Sequence, residues 1–387
     1  MRLSSAEKTV ARLIRNAFLL AENVPGGQMQ MAHDWSLVAQ AAEDNGLAPL
    51  LYSSLKKDGT LAPPPDVRER LRIAYLRSDV ANWQAFRELN RLLVLFRNEQ
   101  IPVVILKGAA LATTLYPEIA QRRMDDIDLL VPQASAAKAS SLLLQQGFAT
   151  PQPLSRQFYQ RYSNNQAFLR FGNRPAHLEV HWHLFKSPYY CQRIPIAWFW
   201  NHTIEFDLNG QRACSFNPEA QFVHLCAHFA LHHDTTRMIW SYDLALFLSR
   251  YAARLNWQEI IDTVNAFGLV QALQNTLARV SETWGVSLPA DLSRSIDALR
   301  PTWKQRIAYA MITSPRVEAR LALDTFGIPG VPRKFAFWLY HLFPSFEFMR
   351  ERYGIRDARW IPFFYVWRIL EGFFKFVRSA VSMVTPR

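Results

Sequence analysis

Cysteine is nearly absent from these 387 residues: Cys191, Cys214 and Cys226 are an odd three with no CxxC spacing. That excludes a disulfide framework and a thiolate zinc site, and it fits a reducing cytoplasm. Glycine is scarce as well, at fourteen residues, while half the chain is hydrophobic and a fifth is charged, which excludes collagen-like, low-complexity and wholly disordered chains. Long apolar runs are missing. The longest, such as residues 360–367, fall well short of the ~20 residues that cross a bilayer, so no spanning segment is expected. Residues 1–20 lack the apolar block and cleavage site of a signal peptide and read instead as an amphipathic helix, with Arg2, Lys8, Arg12 and Arg15 interleaved with Val10, Leu13, Ile14 and Phe18. Acidic residues are in deficit: 44 Lys and Arg against 32 Asp and Glu leave a net charge of +12. Such a balance favours phosphate-bearing ligands, nucleic acid or anionic membrane surfaces without choosing among them.

The length exceeds one ordinary core, and the hydrophobic period changes along the chain. Residues 1–98 read as helices, at 35–43, 65–77 and 78–98, with breaks at Pro25-Gly26-Gly27 and in residues 56–65. Residues 99–216 turn to strand and helix in alternation. A β-branched strand spans 101–106, Lys107-Gly108 ends it before an alanine-rich helix, a second strand spans 126–131, and a helix follows over 135–146. Two hairpins follow, one turning at Gly172-Asn173 between 166–171 and 177–184, the other at Asn209-Gly210 between 203–208 and 211–216. The sheet is therefore expected to be mixed and the fold class α+β. Helices resume at Asn217-Pro218, a cap and first-turn pair, and fill 217–326; after a linker at 327–332 the basic, aromatic tail runs to 387.

One constellation carries chemistry: Leu106-Lys107-Gly108-Ala109, then Arg122-Arg123 before Asp126-Ile127-Asp128-Leu129, and later His177-Leu178-Glu179-Val180-His181. Residues two apart on a strand share a face, so Asp126 and Asp128 present paired carboxylates while Ile127 and Leu129 enter the core. Hard oxygen ligands of this kind suit Mg²⁺, and Glu179 supplies the third if its strand lies beside that of Asp128. A DxD by itself also opens strands as a turn and cap; strand-Lys-Gly-helix and two arginines upstream favour the catalytic reading. Lys107, Gly108 and Ala109 stand at a strand-to-helix junction where free amides attract phosphate, with an ordinary turn as the plainer account. For Arg123 a solvated surface role is the alternative.

The stretch 101–132 resembles the DNA-polymerase-β-like nucleotidyltransferase superfamily, and most of all a bacterial uncharacterised nucleotidyltransferase family with an LKG, aromatic-Pro, R, DxDLLV pattern. Leu106-Lys107-Gly108, Tyr116-Pro117, Arg122 and Asp126 to Val131 match that pattern in order. Gly46 to Tyr52, Glu179-Val180-His181-Trp182 and His224-Leu225-Cys226-Ala227-His228 extend the resemblance over roughly residues 40–250. Ala109 follows Gly108 where the wider superfamily has serine or glycine. The resemblance implies a nucleotidyltransferase-like core acting with Mg²⁺ on an NTP. By that resemblance a nucleoside monophosphate would pass to an acceptor hydroxyl of a small molecule or protein, Asp126, Asp128 and Glu179 would hold metal, and Lys107, Gly108, Ala109, Arg122 and Arg123 would meet phosphate. A non-catalytic binding or scaffolding protein on the same fold is the other reading.

His224, His228, His232, His233 and Asp234 form a second cluster. HxxxH can hold zinc given a third ligand, but no glutamate adjoins the first histidine, and Phe222, Leu225 and Phe229 mark a packed helix. His228 and His232 are candidate cleft residues, as is His181, which shares the Glu179 face, whereas Trp182 points to the core. Asp243 is either an arginine's partner or a cleft residue. In the tail, residues from 333 onward carry ten Lys or Arg against four Asp or Glu. Its aromatics at helical spacing are expected to pack a C-terminal helix onto the protein, and peripheral contact with an anionic membrane is the alternative. No RNA-binding or helix-turn-helix signature is present.

Overall fold

The structure, a computed structural model, describes residues 3–19, 34–59, 61–150, 163–172, 175–208, 210–232 and 237–384, without side chains at 347, 351 and 373–384. Pro25-Gly26-Gly27, Asn173, Asn209, His233 and Asp234 therefore lie outside the described residues.

The fold is α+β, a four-stranded sheet enclosed by helices. Strands β1 (Val104–Ile105), β2 (Ile127–Leu130), β3 (Asn165–Arg170) and β4 (Ala176–His181) lie in the order β1-β2-β4-β3. β2 and β4 are parallel and the other two pairs antiparallel, so the sheet is mixed. β5 (Thr203–Leu208) and β6 (Gln211–Phe216) make a separate hairpin, turned by Gly210 at φ +81°. β6 lies beside β1, where Ser215 Oγ donates to the Ile105 carbonyl at 3.3 Å.

Three elements differ from their expected extents for identifiable reasons. The strand expected over 177–184 ends at His181, where the Trp182 and His183 amides both turn onto the Asn164 carbonyl, at 2.8 and 3.1 Å. The strand expected over 101–106 pairs only at Val104–Ile105, because Pro102 has no N–H to donate and the Ile101 amide is already bonded to Phe96 O, closing the preceding helix at 2.8 Å. The helices expected at 65–77 and 78–98 are a single one, Pro65–Asn98, since neither glycine nor proline interrupts it after Pro65.

That long helix joins the two cores. Its Val67 and Leu71 pack beside the helices Trp35–Asp44 and Ala48–Asp58, in the core to which Pro218–Leu231, Met238–Tyr251 and Val270–Trp284 also contribute; its Phe86, Leu89, Leu92 and Phe96 belong to the sheet core with Ile105, Ile127, Leu129, Leu178 and Val180. The alternation along β2 and β4 thus sends the apolar residues into the sheet core and turns Asp128, Glu179 and His181 to the other face. At the crossover sits Asn82, 1% exposed, whose Nδ2 donates to Ile119 O (2.6 Å) and Arg122 O (2.8 Å), while its Oδ1 accepts from Met124 N (3.3 Å). One side chain therefore fixes the loop that leads into Asp126. Asn45 does the same for the opposite wall: its Oδ1 accepts from Met238 N at 3.0 Å and starts the helix that carries Asp243.

Candidate active site

The carboxylates converge because of strand register. Asp128 lies directly opposite Glu179 in the parallel β2–β4 pair, and Asn165 lies opposite His181 in the β3–β4 pair. Asp128 Oδ1 receives Lys107 Nζ at 2.7 Å and His181 Nε2 at 2.8 Å; the same His181 nitrogen stands 3.3 Å from Glu179 Oε2, which also accepts from Asn165 Nδ2 at 2.7 Å. Two overlapping sets of ligand atoms gather within 4.8 Å of one another: Asp126, His177 and Glu179, and Asp128, Glu179 and His181. Glu179 belongs to both. All of these except His177 line a cleft of about 330 Å³ between the sheet and the helices Pro218–Leu231 and Met238–Tyr251, lined in addition by Arg122, Arg123, His228, His232, Arg237 and Asp243.

Burial and like charge divide the carboxyl groups. Asp126 is raised to about 7, first by burial and then by the Asp128 charge, with Lys107 only partly opposing them. Asp128 is pushed up by burial, but Lys107 and the hydrogen-bonded His181 overcome this and hold it well below the usual carboxylate range. Glu179 is likewise lowered against its burial by His181. Lys107, which burial alone would neutralise, stays cationic because of Asp128, and its pKa is raised. His181 is also raised: burial and Lys107 oppose its charge, and the bonds to Asp128 and Glu179 outweigh them. The cleft therefore holds more negative charge than it can comfortably ionise, and Asp126 takes the proton.

At the junction between β1 and the following helix the left-handed residue is Lys107, at φ +46°, and not Gly108. A non-glycine residue there is strained, by roughly 1–3 kcal/mol, and the ion pair with Asp128 holds it. A Cβ on Gly108 would meet Met124 Cγ at 3.5 Å and the Arg122 nitrogens at 3.7 Å, ordinary contacts, so the Gly108 backbone lines the cleft without a steric demand for glycine. The helix Lys107–Thr114 starts at Leu106 with no side-chain cap, which leaves first-turn amides for a ligand. Ala109 turns into the sheet core.

Arg122 and Arg123 part company. Arg122 is buried, and each of its nitrogens is engaged by protein: Nε reaches Asp243 Oδ1 at 2.9 Å, Nη2 reaches Asp243 Oδ2 at 2.9 Å, and Nη1 bonds the Arg123 carbonyl. Tyr116 OH donates to the same Asp243 at 2.5 Å. Asp243 is thus both an arginine's partner and a cleft residue, and Arg122 contributes charge and shape to the wall more than free donors. Arg123 is exposed at the rim, 3.1 Å from Asp125, which also receives Arg237 at 2.7 Å.

His228 lines the cleft, stacked on His232 at 4.5 Å and edge-on to Trp240, with its pKa well down through burial and then His232. His224 is 1% exposed, sits edge-on to Phe216 and is lowered to about 3 by burial. Trp182 turns inward, its Nε1 donating to Ser163 O at 2.8 Å. Sequence reasoning passed over His177, Asn164, Asn165, Lys186 and Arg237. His177 was legible in the alternation His177, Glu179, His181; Asn164 and Asn165 only through the register of β3. Asn164 is 2% exposed, lines the cleft and has no partner for its Oδ1 among the described residues.

The sequence pattern of the family described as "Uncharacterised nucleotidyltransferase" matches residues 31–285. The chain belongs to that family. Among solved structures it is similar to an antigenic nucleotidyltransferase-like protein from Paracoccidioides brasiliensis, at 20% identity and a TM-score of 0.36, over 56% of this chain and 94% of that one. No curated protein matches.

Proposed function

We propose that this nucleotidyltransferase-family chain moves a nucleoside monophosphate from an NTP, such as ATP, to an acceptor hydroxyl, with Mg²⁺ as its cofactor. The observation that carries the reading is the convergence of Asp126, Asp128 and Glu179, two of them paired in register and one shared by both ligand sets. Their donor set fits the ion: hard oxygens, surplus negative charge, and a carboxyl group, Asp126, whose pKa of about 7 a bound cation would lower. Asp126, Asp128 and Glu179 would hold Mg²⁺, which when bound supplies stabilisation of charge on the phosphate oxygens. The acceptor oxygen forms its bond to the α-phosphorus as the bond to the β-phosphate oxygen breaks; the hydroxyl proton passes to a site carboxylate, a role we give to Glu179, and pyrophosphate leaves. Lys107, the amides after Leu106, and Arg123 and Arg237 at the rim meet the growing charge on the leaving pyrophosphate. Arg122, its charge matched by Asp243, shapes the wall rather than meeting phosphate directly. Titration calorimetry with ATP, GTP, CTP and UTP tests this. Binding of one or more NTPs that requires Mg²⁺ and is lost in Asp128→Asn is expected, and tight metal-independent binding would count against it.

A second reading, of location, rests on a different observation. Residues 331–370 hold thirteen of the twenty-six exposed large apolar side chains among the described residues, within a stretch carrying excess positive charge. We infer that this face lies against an anionic membrane surface. No helix among the described residues is long and apolar enough to cross a membrane.

A further inference from the structure

A second cavity, of about 280 Å³, adjoins the first and shares Lys186 and His232 with it. Its walls are mostly apolar, from Phe185, Tyr190, Leu231, Ile312, Val317 and Leu321, and its polar groups beside the shared pair are Ser187, Arg320 and Asp324. The wall is built and held. The helix Val317–Gly327 meets the short helix Pro188–Cys191 so closely that a Cβ on Gly327 would fall 2.3 Å from Tyr189 N, and Ser187 Oγ donates to Asp324 Oδ1. Everything from Ile312 to Asp324 lies beyond residue 285, where the family match ends, so the shared catalytic half and this wall come from different parts of the chain.

The polar groups choose among ligands. Asp324 is engaged by Ser187, and burial, partly offset by that bond and by Arg320, raises it to about 6, so its negative charge is incomplete near neutrality. Lys186 and Arg320 line the same space, and neither has a hydrogen bond or ion pair to a carboxylate among the described residues. An apolar chamber with two uncommitted cations beside one committed carboxylate favours an anion with an apolar body.

We propose that this cavity takes the acceptor, and that the acceptor is a small anionic molecule whose apolar body bears the hydroxyl to be modified. The assignment to an acceptor rests on the nucleotidyl-transfer reading; the assignment of an anion site does not. Two probes with the same phenol body and opposite charge separate the cases: 3-(4-hydroxyphenyl)propionate and tyramine, each titrated against the full chain and followed by saturation-transfer NMR and calorimetry, first without nucleotide and then with Mg²⁺ and a non-hydrolysable ATP analogue. The propionate is expected to bind and tyramine not to. Arg320→Gln and the cavity-filling Leu321→Trp should each weaken the propionate about tenfold while leaving nucleotide affinity unchanged. Equal binding of tyramine, or propionate binding indifferent to Arg320→Gln, overturns the proposal; Arg320 is only half-buried and makes no ion pair or hydrogen bond among the described residues, so that variant folds even if Leu321→Trp does not. Nucleotide bound with no propionate bound also overturns it. Propionate bound with no nucleotide overturns the transfer reading and leaves the anion site standing.

Discussion

Arg122 and Asp243 are 7% and 2% exposed, yet both are charged and fully bonded; Phe335, Phe346, Trp360 and Phe363 are apolar, yet each is more than half exposed. The cleft buries what water would hold, and the tail exposes what water rejects. In the cleft the buried charges of Lys107, Asp128, Arg122 and Asp243 are matched by partners fixed in strand or helix, and only Asp126 is left crowded. The tail has two small clusters of its own, around Phe337 and around Met349, Ile355 and Ile361, and contributes nothing to the two large cores. The expected packing of its aromatics therefore holds for those few side chains and not for the ring of Phe, Trp and Leu outside them.

The strongest way to break the contrast is to strip one partner from the buried pair. Asp243→Ala leaves the Arg122 guanidinium and Tyr116 hydroxyl without their acceptor in a site that water does not reach, and should cost about 3–5 kcal/mol. Urea unfolding of the variant measures it. A loss below about 1 kcal/mol would show that the pair is solvated and that the wall is not as rigid as described.

Next in size is a gain. Asp126 has a pKa of about 7 in the fold against 3.8 unfolded, so between these values the folded state binds the extra proton, and stability falls as pH rises through that window. By pH 8, without metal, the penalty is on the order of a few kcal/mol. Asp126→Asn removes the charge and should raise the melting temperature of metal-free protein at pH 8, with no gain at pH 4, while abolishing Mg²⁺-dependent nucleotide binding. Equal melting of variant and parent at pH 8 would mean that the carboxylates are not crowded.

The tail should behave in the opposite way. Removing residues 331–387 takes away neither large core, so melting should shift by no more than a few degrees, whereas co-sedimentation with anionic liposomes should be lost. Binding by the full chain should also weaken as salt is raised, because the stretch from residue 333 carries an excess of +6. A large fall in melting temperature with vesicle binding intact would restore the packing account for the whole tail.

Much of the site was legible because strand alternation is a local rule. Asp126, Asp128, Glu179 and His181 follow from period two once the strands are placed, and the long apolar helices follow from period 3.6. What escaped depends on non-local register: Asn165 matters only because β3 pairs with β4, Arg237 only because a loop returns to Asp125, and the clamp on Arg122 only because Asp243 arrives from 121 positions away. The left-handed Lys107 was hidden for another reason. Beside a glycine, the conformational exception is assigned by habit to the glycine, and here a buried ion pair places it one residue earlier.

The smallest expected effect sharpens the comparison within the cleft itself, between adjacent arginines. Arg123 is about half exposed, and its partner Asp125 keeps Arg237 at 2.7 Å when Arg123 is gone. An exposed pair of this kind contributes roughly 0–1 kcal/mol, and here the carboxylate is left with its better partner, so Arg123→Ala should change stability by less than about 0.5 kcal/mol. Its charge nevertheless stands at the rim where a triphosphate would enter. Nucleotide affinity with Mg²⁺ should therefore fall several-fold at low ionic strength, and the difference from the parent should shrink as salt rises, since a rim charge acts through a screened field. Calorimetric titrations of parent and variant with ATP at two salt concentrations decide it. Equal affinities at low salt would make Arg123 a surface arginine with no part in binding; an affinity loss that persists undiminished at high salt would mean that it bonds phosphate directly, in the role its buried neighbour cannot take while Asp243 holds it.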